Sequence, residues 1–160
     1  MKKTKVIVIV GPTASGKTAL GIHIAKRFNG EVVSGDSMQI YESMDIATAK
    51  PTKEEMDGIK HHLIGFVNPE TEYSVASFCE DAKKAVTEIT EKGKVPVIVG
   101  GTGLYIDSFI NNTTFFEDAN SETVRAELYN ELNEFGIEKL YNELLSVDSE
   151  AAKKIHPNNE

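Results

Sequence analysis

The sequence has a single cysteine, Cys79. No internal disulfide can form from one thiol, and no multi-cysteine zinc site can be built. Its place in an apolar helical pattern points to burial rather than to a catalytic thiol. No apolar run approaches the roughly 20 residues that span a bilayer, which excludes an apolar membrane-spanning helix. The apolar start "VIVIV" is five residues long and runs straight into glycine, so it reads as a strand and not as a signal-peptide core. A cytoplasmic location is expected. Tryptophan is also missing, yet 40% hydrophobic and 26% charged residues describe an ordinary globular chain. A length of 160 residues leaves room for one main domain.

Positive charge is scarce in one place. Residues 1–116 carry 13 Lys+Arg against 14 Asp+Glu, whereas residues 117–150 carry 2 against 10, so most of the net charge of −8 sits in the last third. An acidic total ordinarily argues against a nucleic-acid partner, but here the location of the acids matters more than their sum.

Alternating elements fill the first two thirds. "KVIVIV" is a β-branched run typical of a strand covered on both faces. In "KTALGIHIAKRF", Leu20, Ile24 and Phe28 recur every four residues and predict one apolar helix face, with Asn29-Gly30 as the stop. "EVVSGD" predicts a short second strand, and "SMQIYESMDIATAKP" a functional loop with a short helix, closed by Pro51. Ser74 is the expected N-cap of a helix that turns Val75, Phe78, Ala82, Ala85 or Val86, and Ile89 inward and stops at Gly93. "VPVIVGGTGLY" predicts a buried strand running into glycines and then a helix over residues 104–109. The order of elements predicts an α/β fold with a parallel sheet.

Beyond "NNTTFF" the pattern becomes helical, with Val124, Leu128 and Leu132 on one helix and Ile137, Leu140, Tyr141 and Leu144 on the next. The expected boundary lies within residues 111–118, giving a core of residues 1–114 and a helical part of residues 115–160. No strand signal returns before "IHPNNE", so the chain reads as the first part of a longer fold.

Gly11, Pro12, Thr13, Ala14, Ser15, Gly16, Lys17 and Thr18 match G-x-x-x-x-G-K-[ST] between a strand and a helix, the context a phosphate loop requires. Backbone N–H groups can turn around phosphate oxygens, Lys17 adds a positive charge, and Thr18 can hold Mg²⁺. A nucleotide hydrolase would also need an apolar strand ending in Asp, and the strands here answer poorly. "SGDSMQIY" instead packs Ser34, Asp36, Ser37, Gln39 and Tyr41 into eight residues, enough polar groups to read a polar ring and accept a proton from it. Locally, Asp36 could equally be a helix N-cap. His61-His62 reads as a structural hydrogen-bonding pair, because neighbours on an extended segment point opposite ways and no third ligand lies nearby. Lys50, Lys53 and Lys60 could touch phosphates, but scattered lysines read more readily as solvated surface.

"GPTASGKT", "SGDSMQIY", "DIATAKP", "KHHLI" and "VGGTGLY", in this order, closely resemble the tRNA dimethylallyltransferase family, also called tRNA isopentenyltransferases. The likeness runs from the first strand to Tyr105 and more faintly through "VRAEL" to "HPNN". It implies a three-layer P-loop fold with part of a helical tRNA-binding insertion. It further implies a loop that grips the diphosphate of dimethylallyl diphosphate while N6 of the adenine 3′ to the anticodon attacks the allylic carbon. Lys17, Thr18 and Mg²⁺ would stabilise the leaving pyrophosphate, and Asp36 would take the N6 proton. Asp36, Ser37, Met38, Gln39, Thr102 and Arg125 match positions that contact the tRNA, Thr102 also belonging to the catalytic centre. The local alternatives are a helix-capping Thr102 and a solvated Arg125 paired with Glu122 or Glu131. Other readings are an adenylate isopentenyltransferase acting on free nucleotide and a P-loop small-molecule kinase. A monomer is expected.

Overall fold

A computed structural model describes residues 4–46, 48–115 and 121–156. These form two compact units, Met1–Thr114 and Phe115–Glu160. Residues 116–118 of the expected boundary and residues 157–159 of the terminal motif lie outside the described residues.

The first unit contains β1 (Ile7–Val10), α1 (Lys17–Arg27), β2 (Gly30–Ser34), β3 (His61–His62), α2 (Val75–Glu91), β4 (Val95–Gly100) and α3 (Gly103–Ile110). Its four strands lie in the order β1-β4-β2-β3, every pair parallel. Val97 of β4 sits between Ile7 of β1 and Val32 of β2, so β4 is an interior strand, and it is buried along nearly its whole length. This is why its sequence is a continuous apolar run and not an alternation.

Side chains of a strand alternate between faces. One face presents Val32, Val97 and Val99, which form a core with Ala25 of α1. The opposite face carries Val33 and Ile98, fully buried, together with α2 and α3, whose Phe78 and Tyr105 rings stack 4.5 Å apart. Helix, sheet and helix therefore make three layers.

The inward face of α1 differs from the periodic reading. Gly21, Ile22 and Ala25 are buried, whereas Leu20 and Phe28 are about half exposed. The reason is Gly21: a Cβ there would lie 2.5 Å from Val99 Cγ2, so the helix approaches β4 along a stripe of minimal side chain. Helix α2 follows its pattern. Ser74 is its N-cap, accepting from Ser77 N–H through its hydroxyl, and Phe78, Cys79, Ala82, Ala85, Val86 and Ile89 are buried. Burial pushes the Cys79 thiol up, away from reactivity.

The short helix expected between Ser37 and Pro51 is absent among the described residues; turns take its place. Side chains there bind the backbone carbonyls that a helix would have used internally: Gln39 binds those of Thr48 and Ala49, and Lys50 that of Tyr41.

Beneath β2, Glu31 is buried and accepts from Lys94 Nζ at 2.8 Å and His62 Nε2 at 2.7 Å. Burial alone would raise its pKa. The bonds from Lys94 and His62 and the charge of Lys92 outweigh that and hold the carboxyl at about 2. Glu31 thereby ties β3 to the sheet.

The second unit contains α4 (Ser121–Phe135), α5 (Ile137–Val147) and α6 (Ser149–Ala152). Leu132, Ile137, Leu140, Tyr141 and Leu144 are half-buried, whereas Val124 and Leu128 remain exposed. Asp148 caps α6, accepting from the N–H groups of Glu150 and Ala151, and the Tyr141 hydroxyl donates to the Ala152 carbonyl at 3.3 Å. No helix among the described residues is long and apolar enough to cross a membrane.

Candidate functional site

The phosphate loop begins where β1 ends and closes where α1 begins. Ala14 and Gly16 both adopt positive φ, +63° and +82°, on either side of Ser15. A backbone that alternates hand in this way turns consecutive N–H groups toward one side and forms an anion nest. Gly16 is the N-terminal boundary of α1 and makes no side-chain cap, so the first-turn N–H groups of the helix face the same region. Lys17 Nζ donates to the Pro12 carbonyl at 2.6 Å, folding its charge over the loop.

Asp36 reaches the loop through the ends of β2 and β4. These strands meet so closely that a Cβ on Gly100 would overlap the Gly35 carbonyl, and only glycine fits. Gly35 N–H donates to Val99 O at 2.8 Å and Thr102 N–H to Gly35 O at 3.3 Å, locking the two turns together. The result is a convergence of charge. A Cβ placed on Gly101 would lie 3.9 Å from both Asp36 Oδ2 and Lys17 Nζ. Residues far apart in sequence thus place a carboxylate and an ammonium against the same glycine.

Asp36 caps no helix: its Oδ1 accepts from Met38 N–H at 3.0 Å, an Asx turn that fixes the carboxylate's direction. Thr102 stands at the start of α3, yet its hydroxyl does not cap it. The hydroxyl oxygen accepts from Ser37 N–H at 2.9 Å and the hydroxyl donates to Ser37 Oγ at 3.2 Å. Thr102 therefore pins the segment that carries Asp36. Met38 is exposed beside it. The Gln39 amide is turned inward: besides the two loop carbonyls, its Oε1 accepts from Ser34 Oγ at 3.2 Å. Arg125 lies exposed on α4 in the second unit, and Glu131, one of its suggested partners, accepts instead from Lys139 at 3.3 Å.

Residues 13–19 of the loop and of α1, together with Asp36, line a cavity of about 470 Å³. It extends past the anion nest to Ile22, Val32, Val99, Pro51 and His61, to which the sequence reading gave no role at the site. His61 and His62 point to opposite faces of the sheet, His61 into the cavity and His62 to Glu31. Burial lowers the His61 pKa, so the ring is neutral near pH 7, with Nδ1–H donating to Ile59 O at 2.9 Å.

The residues present suit magnesium. Mg²⁺ keeps several waters and takes one or two protein oxygens plus phosphate oxygens, so the Thr18 hydroxyl beside a bound diphosphate supplies the kind of site it uses. Among the described residues no group of three His, Cys, Asp or Glu side chains gathers for a dedicated metal cage.

A parallel sheet flanked by helices, with an anion nest between its first strand and first helix, defines a P-loop α/β protein. Residues 39–160 match the family model described as IPP transferase, and the chain belongs to that family. It is 53% identical over 159 residues to a protein of Bacillus anthracis named tRNA dimethylallyltransferase, covering 99% of this chain and 51% of that protein. Among solved structures, it superposes on the full-length tRNA isopentenylpyrophosphate transferase of Bacillus halodurans with a TM-score of 0.71 and 49% identity, covering 98% of this chain and 52% of that one. A eukaryotic dimethylallyltransferase acting on tRNA gives a TM-score of 0.84 at 35% identity, with 98% and 39% covered. The chain thus spans about half the length of the bacterial relatives it matches.

Proposed function

We propose that the protein to which this chain belongs transfers a dimethylallyl group from dimethylallyl diphosphate to N6 of the adenine 3′ to the anticodon of tRNA. The bond from N6 to the allylic carbon forms as the carbon–oxygen bond breaks, and the electron pair leaves with pyrophosphate. The N6 proton passes to a base. The observation that carries this reading is the convergence of Asp36 Oδ2 and Lys17 Nζ on Gly101. An anion site and a proton acceptor at one point suit a reaction that expels a diphosphate while an amine attacks.

Each residue then has a task. The N–H groups of the loop from Gly11 to Thr18, with Lys17, hold the charge that grows on the departing oxygens, where preorganised donors act most strongly. Lys17 would exchange the Pro12 carbonyl for a phosphate oxygen. Thr18 would hold Mg²⁺, which neutralises diphosphate charge when bound. Asp36 takes the proton. Ser37 and Met38 face the RNA, Thr102 fixes the turn behind them, and Gln39 supports the RNA contact through the loop it anchors. Arg125 meets the tRNA backbone. The adenine must leave its stack to reach Asp36, a step that costs less in a single-stranded loop than in a duplex.

Calorimetry of the full-length protein with dimethylallyl diphosphate and with ATP, in the presence of Mg²⁺, tests the assignment. Tighter binding of the prenyl donor is expected, and Lys17→Ala should weaken it by about tenfold to a hundredfold. ATP binding preferred over the donor, followed by phosphoryl transfer, would replace this reading with a kinase.

A further inference from the structure

Past Lys17 and Thr18 the cavity changes character. Ile22 of α1, Val32 of β2 and Val99 of β4 supply its regular walls, and neutral His61 lies on β3. Ser34, Gln39 and Glu55 also line the cavity, but Lys17 is the only lysine or arginine among its described lining residues. With an acid and no further cation, this end disfavours a second phosphate, and its apolar walls fit a short hydrocarbon group.

The remaining wall is irregular chain, with Thr48, Ala49 and Pro51 facing the cavity. Irregular chain holds a fixed surface only if something ties it down. Lys50 does so from outside the cavity. Its side chain is 10% exposed, and Nζ donates to the Tyr41 carbonyl at 2.8 Å and to Asp45 Oδ1 at 2.7 Å. Gln39 Nε2 donates to the carbonyls of Thr48 at 3.2 Å and Ala49 at 3.0 Å, and the Thr48 hydroxyl to the Met44 carbonyl at 2.6 Å. A lysine withdrawn from water to bind its own chain has exchanged hydration for fixed geometry.

We propose that residues 48–51 form the wall against which the hydrocarbon part of the substrate packs, and that Lys50 is the positioning residue that sets this wall. The proposal rests on the prenyl-donor reading and deepens it. The phosphate loop fixes the anion end, and Lys50 acts on the organic end without touching the ligand. Its loss therefore affects the two ends unequally.

The test compares dimethylallyl diphosphate with inorganic pyrophosphate, each titrated with Mg²⁺ into the full-length protein. Wild type should bind the prenyl compound more tightly than pyrophosphate. Lys50→Met, close in volume but without donors or charge, should reduce that preference roughly tenfold while pyrophosphate affinity stays the same. Asp45→Ala, an exposed change that removes only the carboxylate partner, should give a smaller reduction in the same direction. It carries the test if Lys50→Met does not fold. Equal losses for both ligands would mean general loosening and overturn the proposal, as would an unchanged preference. A wild-type protein that binds pyrophosphate as tightly as the prenyl compound would instead remove the donor reading itself, and the wall with it.

Discussion

The two units carry similar apolar patterns and use them differently. In the first, Phe78, Ile89, Val33 and Ile98 are fully buried, because a parallel sheet has two faces and each is covered by helix. In the second, Ala152 is the only buried hydrophobic residue among those described, and the stripes of α4 and α5 are half-covered at best. Amphipathic spacing tells which side of a helix is apolar. It does not tell how much of that side another element covers. The chemistry divides in the same way: every matched site residue except Arg125 belongs to the first unit, where packing can hold a carboxylate and an ammonium in register.

The largest test of this contrast is chemical. Asp36→Asn in the full-length protein should lower prenyl transfer by about 10²- to 10⁴-fold with donor affinity nearly unchanged, read as kcat against calorimetric Kd. Unaltered turnover would remove Asp36 from the reaction.

Packing comes next. Phe78→Ala should destabilise the first unit by about 3–5 kcal/mol in urea unfolding, against about 1 kcal/mol or less for Leu128→Ala in the second. Equal costs would erase the distinction between the units.

The smallest effect concerns pH. Glu31 has a folded pKa of about 2 against an ordinary 4.5, so its contribution is complete above the ordinary value. It is lost as pH falls from there toward about 2. Glu31→Gln should cost about 2 kcal/mol at neutral pH and flatten the acid limb of stability, followed by denaturant midpoints from pH 6 to 3. An identical acid limb in the variant would assign that loss to other groups.

Much of the first unit was legible in the sequence because its signals are local. A β-branched run before a glycine loop, a serine before an apolar helix and a glycine after it depend on near neighbours only. The α1 face misled because hydrophobic periodicity scores side chains, and the decisive residue, Gly21, has none. Asp36, Lys17 and Thr102 were readable as residues, through motif and family likeness. Their meeting at Gly101, and the Thr102–Ser37 bonds, depend on two strand ends that only the fold brings together. Lys50 and His61 were hidden for the same reason. Lys50 binds the Tyr41 carbonyl and Asp45, and His61 binds the Ile59 carbonyl beside a cavity, and none of these contacts has a sequence signature.

The order β1-β4-β2-β3 has a further consequence for how the chain is made. Among the described residues β1 pairs with β4, joining Ile7 to Val97 across about 90 residues, and the described strands between them in sequence are parallel, without a hairpin. At ribosomal speeds of about 5–20 residues per second, the first strand must wait on the order of 10 s for β4 to be synthesised. During that interval an unpaired, uncharged "IVIV" is exposed in the cell, so the nascent chain should be a client for chaperones that bind extended apolar segments.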